Sequence, residues 1–129
     1  MAVKLNHTIV HARSKRESAD FYAEVFGFPP PKPFGPFLGV QTPNEVTLDF
    51  LETDEDVDVQ HFAFLVDEAE FDAIFARVKA KGLDWWADPA RTRKGEINRN
   101  DGGRGVYFLD PCGHVLEIIT RPYGAQGHD

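Results

Sequence analysis

One pattern runs through this chain twice, and that repetition limits its possible folds more than any single motif does. In the first half, residues 5–11 alternate with Leu5, His7, Ile9 and His11 on one face, which predicts a strand. Ser14 then stands in the N-cap position of a helix, with Glu17 three residues on to complete a capping box. Ala19, Tyr22, Ala23 and Phe26 follow at helical spacing, and Gly27 ends the run. In the second half, residues 61–66 predict a strand with His61, Ala63 and Leu65 on one face. Asp67 can cap a helix whose apolar face is Phe71, Ile74, Phe75 and Val78, and Gly82 closes it. From His7 to Gly27 is 20 residues and from His61 to Gly82 is 21, so the repeat length is about 54.

Strands complete each half. Residues 37–41 and 45–52 read as strands separated by a turn at Pro43 and Asn44, and residues 83–87, 105–109 and 115–121 read as strands in the second half. Pro29, Pro30, Pro31 and Pro33 predict a stiff loop without regular structure, because proline lacks a backbone donor and fixes φ. Residues 88–104, rich in Arg and Gly, predict a long loop. The expected fold is α+β: two βαβββ modules, about 4–52 and about 60–121, within a single domain over 1–129. In each, a helix lies on one face of a curved mixed sheet, leaving the opposite face concave around a metal or ligand cavity.

Composition narrows the function classes. Twenty-one acidic residues against 14 basic give a formal charge of −7, and such a surface repels phosphate backbones, so no nucleic-acid partner is expected. Cys112 is the only cysteine, which excludes an intrachain disulfide and fits a reducing compartment. Asn6 and His7 interrupt any signal-like start, and no apolar run nears the roughly 20 residues of a membrane span. A cytoplasmic protein without a membrane partner is expected.

Five histidines occur: His7, His11, His61, His114 and His128. His7 and His61 are singled out because they hold equivalent places in the repeat, so pseudo-symmetric strands carry both toward one cavity. Glu117 lies in Val115-Leu116-Glu117-Ile118-Ile119, an apolar run where a carboxylate either needs a cation or hydrogen bonds to offset desolvation or stands on an edge strand facing water. Two His and one carboxylate form an open facial triad that leaves metal positions for substrate or oxygen. The ion's Lewis acidity would polarise bound oxygens or generate a nucleophile.

These residues resemble a known family. His7, the Phe21-Tyr22 helix and the Gly27-Phe28 helix end look like the first module of vicinal oxygen chelate proteins. The second His sits in Gln60-His61-Phe62-Ala63-Phe64-Leu65-Val66, and the segment from Val106 to Glu117 is similar to the family's Asp-Pro-x-Gly-x-x-x-Glu signature, here starting at Asp110. The resemblance covers about residues 5–121. It implies His7, His61 and Glu117 as ligands of a divalent ion (Fe, Mn, Zn or Ni), a small-molecule substrate with adjacent oxygens, and a homodimer, since several members take the first His from the partner subunit. The family includes lactoylglutathione lyases, extradiol dioxygenases, fosfomycin-inactivating enzymes, epimerases and metal-free antibiotic-sequestering proteins. An intact triad favours a dioxygenase-like or lyase-like enzyme; the alternative is an antibiotic-sequestering protein of the bleomycin-resistance type.

Departures bear on the branch. Lyases of this family carry a fourth carboxylate on the last strand of module one, where Asp49 stands, one methylene shorter than Glu; Asp49 faces either the cavity or solvent. Asn100 occupies the place of the acid–base His in the dioxygenase signature, and Asn donates a hydrogen bond but shuttles no proton near neutral pH. Tyr107 is either an inward hydrogen-bond donor or a buried structural residue. Asp49, Asn100 and Tyr107 are therefore the candidate catalytic residues. Trp85 and Trp86 point to opposite faces; either one of them lines the cavity or both serve core packing. Arg91, Arg93, Lys94, Arg99 and Arg104 form either a solvated basic loop or a lid that attracts an anionic substrate, and His11 falls at the cavity rim.

Overall fold

The computed structural model describes residues 2–124, which leaves His128 outside the described residues. The chain divides into two compact units, Met1–Asp58 and Val59–Asp129. The first contains β1 (His7–Ala12), α1 (Lys15–Phe26), β2 (Lys32–Phe34), β3 (Phe37–Gln41) and β4 (Thr47–Glu52). The second contains β5 (His61–Leu65), α2 (Glu68–Ala80), β6 (Gly105–Leu109) and β7 (Val115–Ile119), with a 3-10 turn over Asn100–Gly102. The fold is α+β, with two mixed sheets of four and three strands and one long helix in each unit.

In the first unit the strand order is β1-β4-β3-β2, with β1 and β4 parallel and the other pairs antiparallel. Alternation sorts the side chains: Val10, Ala12, Leu48 and Phe50 are buried, while His7, Ile9 and His11 stay exposed on the opposite face of β1. Helix α1 buries Ala19, Tyr22, Ala23 and Phe26, the residues its sequence spacing selects, and the Tyr22 ring meets Phe50 at 4.9 Å. Ser14 Oγ accepts the Glu17 N–H, and Gly27, at φ 74°, ends the helix in a conformation glycine adopts without strain.

The second unit repeats this scheme with one strand reduced. Its order is β5-β7-β6, again with the first pair parallel. Phe71, Ile74 and Val78 of α2 are buried, as are Leu116 and Ile118 of β7. The complete capping box forms here, between Asp67 and Glu70.

Four local expectations need correction. Segment 32–34, placed in the proline loop by sequence, pairs with β3 as an edge strand; Pro33 fits because an edge position does not require its missing N–H. Segment 83–87 shrinks to Trp86, which bridges Tyr107 on one side and Lys94 on the other. Its ladder stops there because Ala87 N–H turns to Arg93 O and Pro89 has no donor to extend it. The second unit therefore keeps βαβββ order with its first β-strand after the helix cut to one bridge. The first strand starts at His7 rather than Leu5, and the last ends at Ile119 rather than Arg121.

Candidate metal centre

The register makes the two halves directly comparable. In the first unit Ile9 pairs with Asp49, and Asp49 pairs on its other side with Gly39. In the second, Ala63 pairs with Glu117, and Glu117 pairs with Tyr107. Two residues before Ile9 and Ala63 stand His7 and His61. Each sheet thus carries, on the face away from the buried helix side, one histidine and one carboxylate at matching ladder positions.

In the second unit these groups meet. His61 Nε2 lies 3.0 Å from Glu117 Oε1, with the imidazole side chain 46% exposed and the carboxylate 12%. The Tyr107 ring centroid is 5.7 Å from that of His61. Tyr107 is 8% exposed, and burial first, then its hydrogen bond to Glu117, push its phenol far above the ordinary tyrosine range. It therefore donates to the carboxylate as a neutral hydroxyl.

The pair can be tested for a metal on geometry alone. Two ligand atoms about 2.1 Å from one ion, at right angles as in an octahedral site, stand about 3.0 Å apart. In the structure that 3.0 Å separation is a direct hydrogen bond between the two groups; it is also the spacing such a pair of ligands would keep, and imidazole nitrogen with carboxylate oxygen suits Zn, Fe, Mn or Ni. Among the described residues no group of three or more His, Cys, Asp or Glu forms that could hold an ion. Of the expected triad, the structure brings His61 and Glu117 together; His7 belongs to the other unit, where its Nδ1 lies 2.7 Å from Asn6 Oδ1.

In the first unit, His7 and Asp49 line a cavity of about 550 Å³. Asp49 is 7% exposed despite carrying a carboxylate. Asn100 is exposed at the start of the 3-10 turn, and among the described residues no hydrogen bond joins its side chain to Tyr107, His61 or Glu117. His11 is exposed. Trp85, half-buried, packs edge-on against the half-buried Phe75 of α2 at 5.2 Å, while the Arg91 guanidinium lies 5.9 Å from the Trp86 ring.

Most charges of the basic loop have local partners: Arg93 with Glu96, Lys94 with Asp84, and Arg104 with Glu68 and Asp72. That pairing supports the solvated-loop alternative over the lid. Sequence reasoning missed Asn98 and the support around His61. Asn98, 6% exposed, donates to Ala87 O at 2.9 Å and fixes the loop to the edge at Gly105. His114, 1% exposed, accepts the Gln60 N–H at 2.9 Å and so anchors the residue before His61. A histidine directly after the Asp-Pro-x-Gly turn was visible, but nothing local said which strand it would hold. Asp110 Oδ1 ties that turn by accepting the Cys112 and His114 N–H groups.

Among the described residues no helix is long and apolar enough to cross a membrane. The profile of the Glyoxalase/Bleomycin resistance protein/Dioxygenase superfamily matches residues 4–118. The solved structure of Oxidase ChaP-H1 is 60% identical with a TM-score of 0.93, covering 95% of this chain and 99% of that one. Oxidase ChaP-H2 is 55% identical with a TM-score of 0.95, covering 98% and 100%. Metallothiol transferase FosB of Shouchella clausii is 38% identical over 60 residues, 46% of this chain and 37% of that protein. The chain thus matches well under half the length of such curated relatives.

Proposed function

The chain belongs to the glyoxalase/bleomycin resistance protein/dioxygenase superfamily, and from that premise we propose that it is a divalent-metal-dependent enzyme oxidising a small molecule with adjacent oxygens. The observation that carries the reading is the 3.0 Å separation of His61 Nε2 and Glu117 Oε1, which suits two ligands of one ion. The likeness to two oxidases at 60% and 55% identity favours oxygen chemistry over lyase chemistry.

His7 completes the ligand set, supplied by the same chain or by a second copy. Ile9 and Leu65, on the strand faces that carry His7 and His61, are 45% and 59% exposed, and apolar faces of this kind favour burial in a homodimer. When bound, the ion supplies Lewis acidity and open positions for two substrate oxygens. Tyr107 holds Glu117 in place through its hydroxyl and remains protonated at neutral pH. Asn100 acts on the substrate as a hydrogen-bond donor, and Asp49 as an acceptor. The two modules work as one domain over 1–129, in the cytoplasm, consistent with the single cysteine.

The test is elemental analysis of protein purified without added metal, followed by oxygen-electrode assays with catechols and isomerisation assays with hemithioacetals. Stoichiometric metal and oxygen uptake are expected. A chain that binds no metal, or that isomerises hemithioacetals without oxygen, would overturn the reading.

A further inference from the structure

The basic loop before β6 leaves one cation in a place that the His61–Glu117 chemistry does not explain. Arg93, Lys94 and Arg104 each meet a carboxylate, whereas the exposed Arg91 has no ion pair among the described residues. Its guanidinium instead lies 5.9 Å from the Trp86 ring, within cation–π reach. A guanidinium held over an aromatic face keeps its in-plane N–H groups free, and that planar fork matches a carboxylate.

The ladder decides where this pair faces. Trp86 is the cross-strand partner of Tyr107, and Tyr107 is the partner of Glu117, so the three side chains share one face of the second sheet. With strands about 4.8 Å apart, the half-buried Trp86 stands about 10 Å from Glu117. The turn that carries Arg91 is built rather than loose. Asp88 accepts the Arg91 N–H on its carbonyl and the Thr92 and Arg93 N–H groups on its carboxylate, at 2.8–3.1 Å. Arg91 itself sits at φ 60°, a left-handed backbone that a residue with a Cβ keeps only where its surroundings hold it. In a chain of formal charge −7, this turn fixes a positive group at the rim of the Tyr107–Glu117 face.

We infer that Trp86 and Arg91 form a specificity-determining subsite for a planar aromatic acid, whose carboxylate pairs with Arg91 while its ring packs beside it on Trp86. The opposite end of such a ligand points along the ladder row toward Tyr107 and Glu117. The inference rests on the proposed function only in taking this ligand for the enzyme's substrate; pairing with Arg91 needs no metal on Glu117.

The experiment titrates the ¹⁵N-labelled full chain with 2-naphthoate and with 2-naphthamide, which has the same rings without the charge, while metal content is measured in parallel. 2-Naphthoate is expected to shift the Trp86 indole and the Arg91 and Thr92 amide signals. It should bind about tenfold more tightly than the amide, in line with a hydrogen bond between charged groups. Arg91→Gln removes that preference and leaves metal content unchanged, and Arg91→Lys, which keeps the charge without the fork, retains only part of it. Arg99→Gln, which removes another exposed cation of the same loop, retains the preference in full. Equal binding of the two compounds, no shift at Trp86, shifts confined to 32–49, or an Arg99→Gln effect as large as that of Arg91→Gln would each overturn the inference, the last by reducing it to a general attraction of anions. A chain that binds no metal, or a Glu117 variant that loses it, with the naphthoate preference intact, would touch only the proposed enzyme chemistry.

Discussion

The two units are built on one plan, yet they treat the same ladder position in opposite ways. Where Tyr107 lies across from Glu117, Gly39 lies across from Asp49. The second unit thereby fixes its carboxylate against a histidine, whereas the first exposes its shorter carboxylate to a cavity. A duplicated scaffold can thus treat one position in two ways: one carboxylate is held between a histidine and a tyrosine, and the other opens onto a cavity. The division comes from a single cross-strand neighbour, because on one sheet face such neighbours stand about 5 Å apart and decide what each can touch.

The sharpest way to break this comparison is to remove the charge from the fixed carboxylate. Glu117→Gln keeps the side-chain shape and should weaken metal binding by more than about 100-fold, exceeding the usual effect of losing a supporting hydrogen bond. Metal analysis by mass spectrometry checks it, with circular dichroism to confirm the fold. Metal retained at the wild-type level would reduce Glu117 to a structural residue. Next comes the group that fixes it: Tyr107→Phe should lower metal affinity or turnover about 10- to 100-fold.

The same substitution carries a pH signature. Because the Tyr107 pKa is raised on folding, its contribution to stability is intact below the ordinary value of 10.0. It is lost as pH rises above that, where only the unfolded chain releases the proton. Denaturant melts from pH 8 to 11 should show wild type losing stability faster than Tyr107→Phe. Parallel slopes would show that the phenol is not held this way.

Smaller effects test how each unit closes its sheet. The second unit has a lone bridge where the first has β2, and it ties α2 to the start of β6 through Arg104. That guanidinium meets Glu68 at 2.7 Å, Asp72 at 2.9 Å and the Phe71 ring at 4.2 Å. Arg104→Met should lower stability by roughly 1 kcal/mol, since exposed partners screen the ion pairs. In the first unit, Pro33→Ala should lower it by only about 0.5 kcal/mol, through the greater freedom of the unfolded chain. An Arg104→Met effect smaller than that of Pro33→Ala, in paired denaturant titrations, would reverse this ordering.

How much of this was legible in the sequence follows from the kind of signal. Helix spacing, the paired histidines and the apolar run around Glu117 are local patterns, and each reappears in the structure. The equivalence of Asp49 and Glu117 was not visible, because Glu117 lies 56 residues after His61 while Asp49 lies only 42 after His7. The long loop before β6 absorbs the difference and hides the alignment. Strand β2 was concealed by prolines, which argue against a central strand but not an edge one. The choice between Gly39 and Tyr107 as partner of a carboxylate is a matter of register, and register is settled by pairing across the sheet.

One small feature reaches further than its size suggests. Trp86 and Tyr107 exchange two backbone hydrogen bonds of 2.9 Å, and no named strand lies beyond Trp86. A single such pair opens far more readily than a full ladder, so its amides should trade hydrogen for deuterium earlier than those of β7. Tyr107 is at once the inner half of that clasp and the residue that steadies Glu117. Deuterium uptake at Trp86 thus becomes a clock for the site: ligands that quieten Glu117 should slow it, with no label placed near His61 or Glu117.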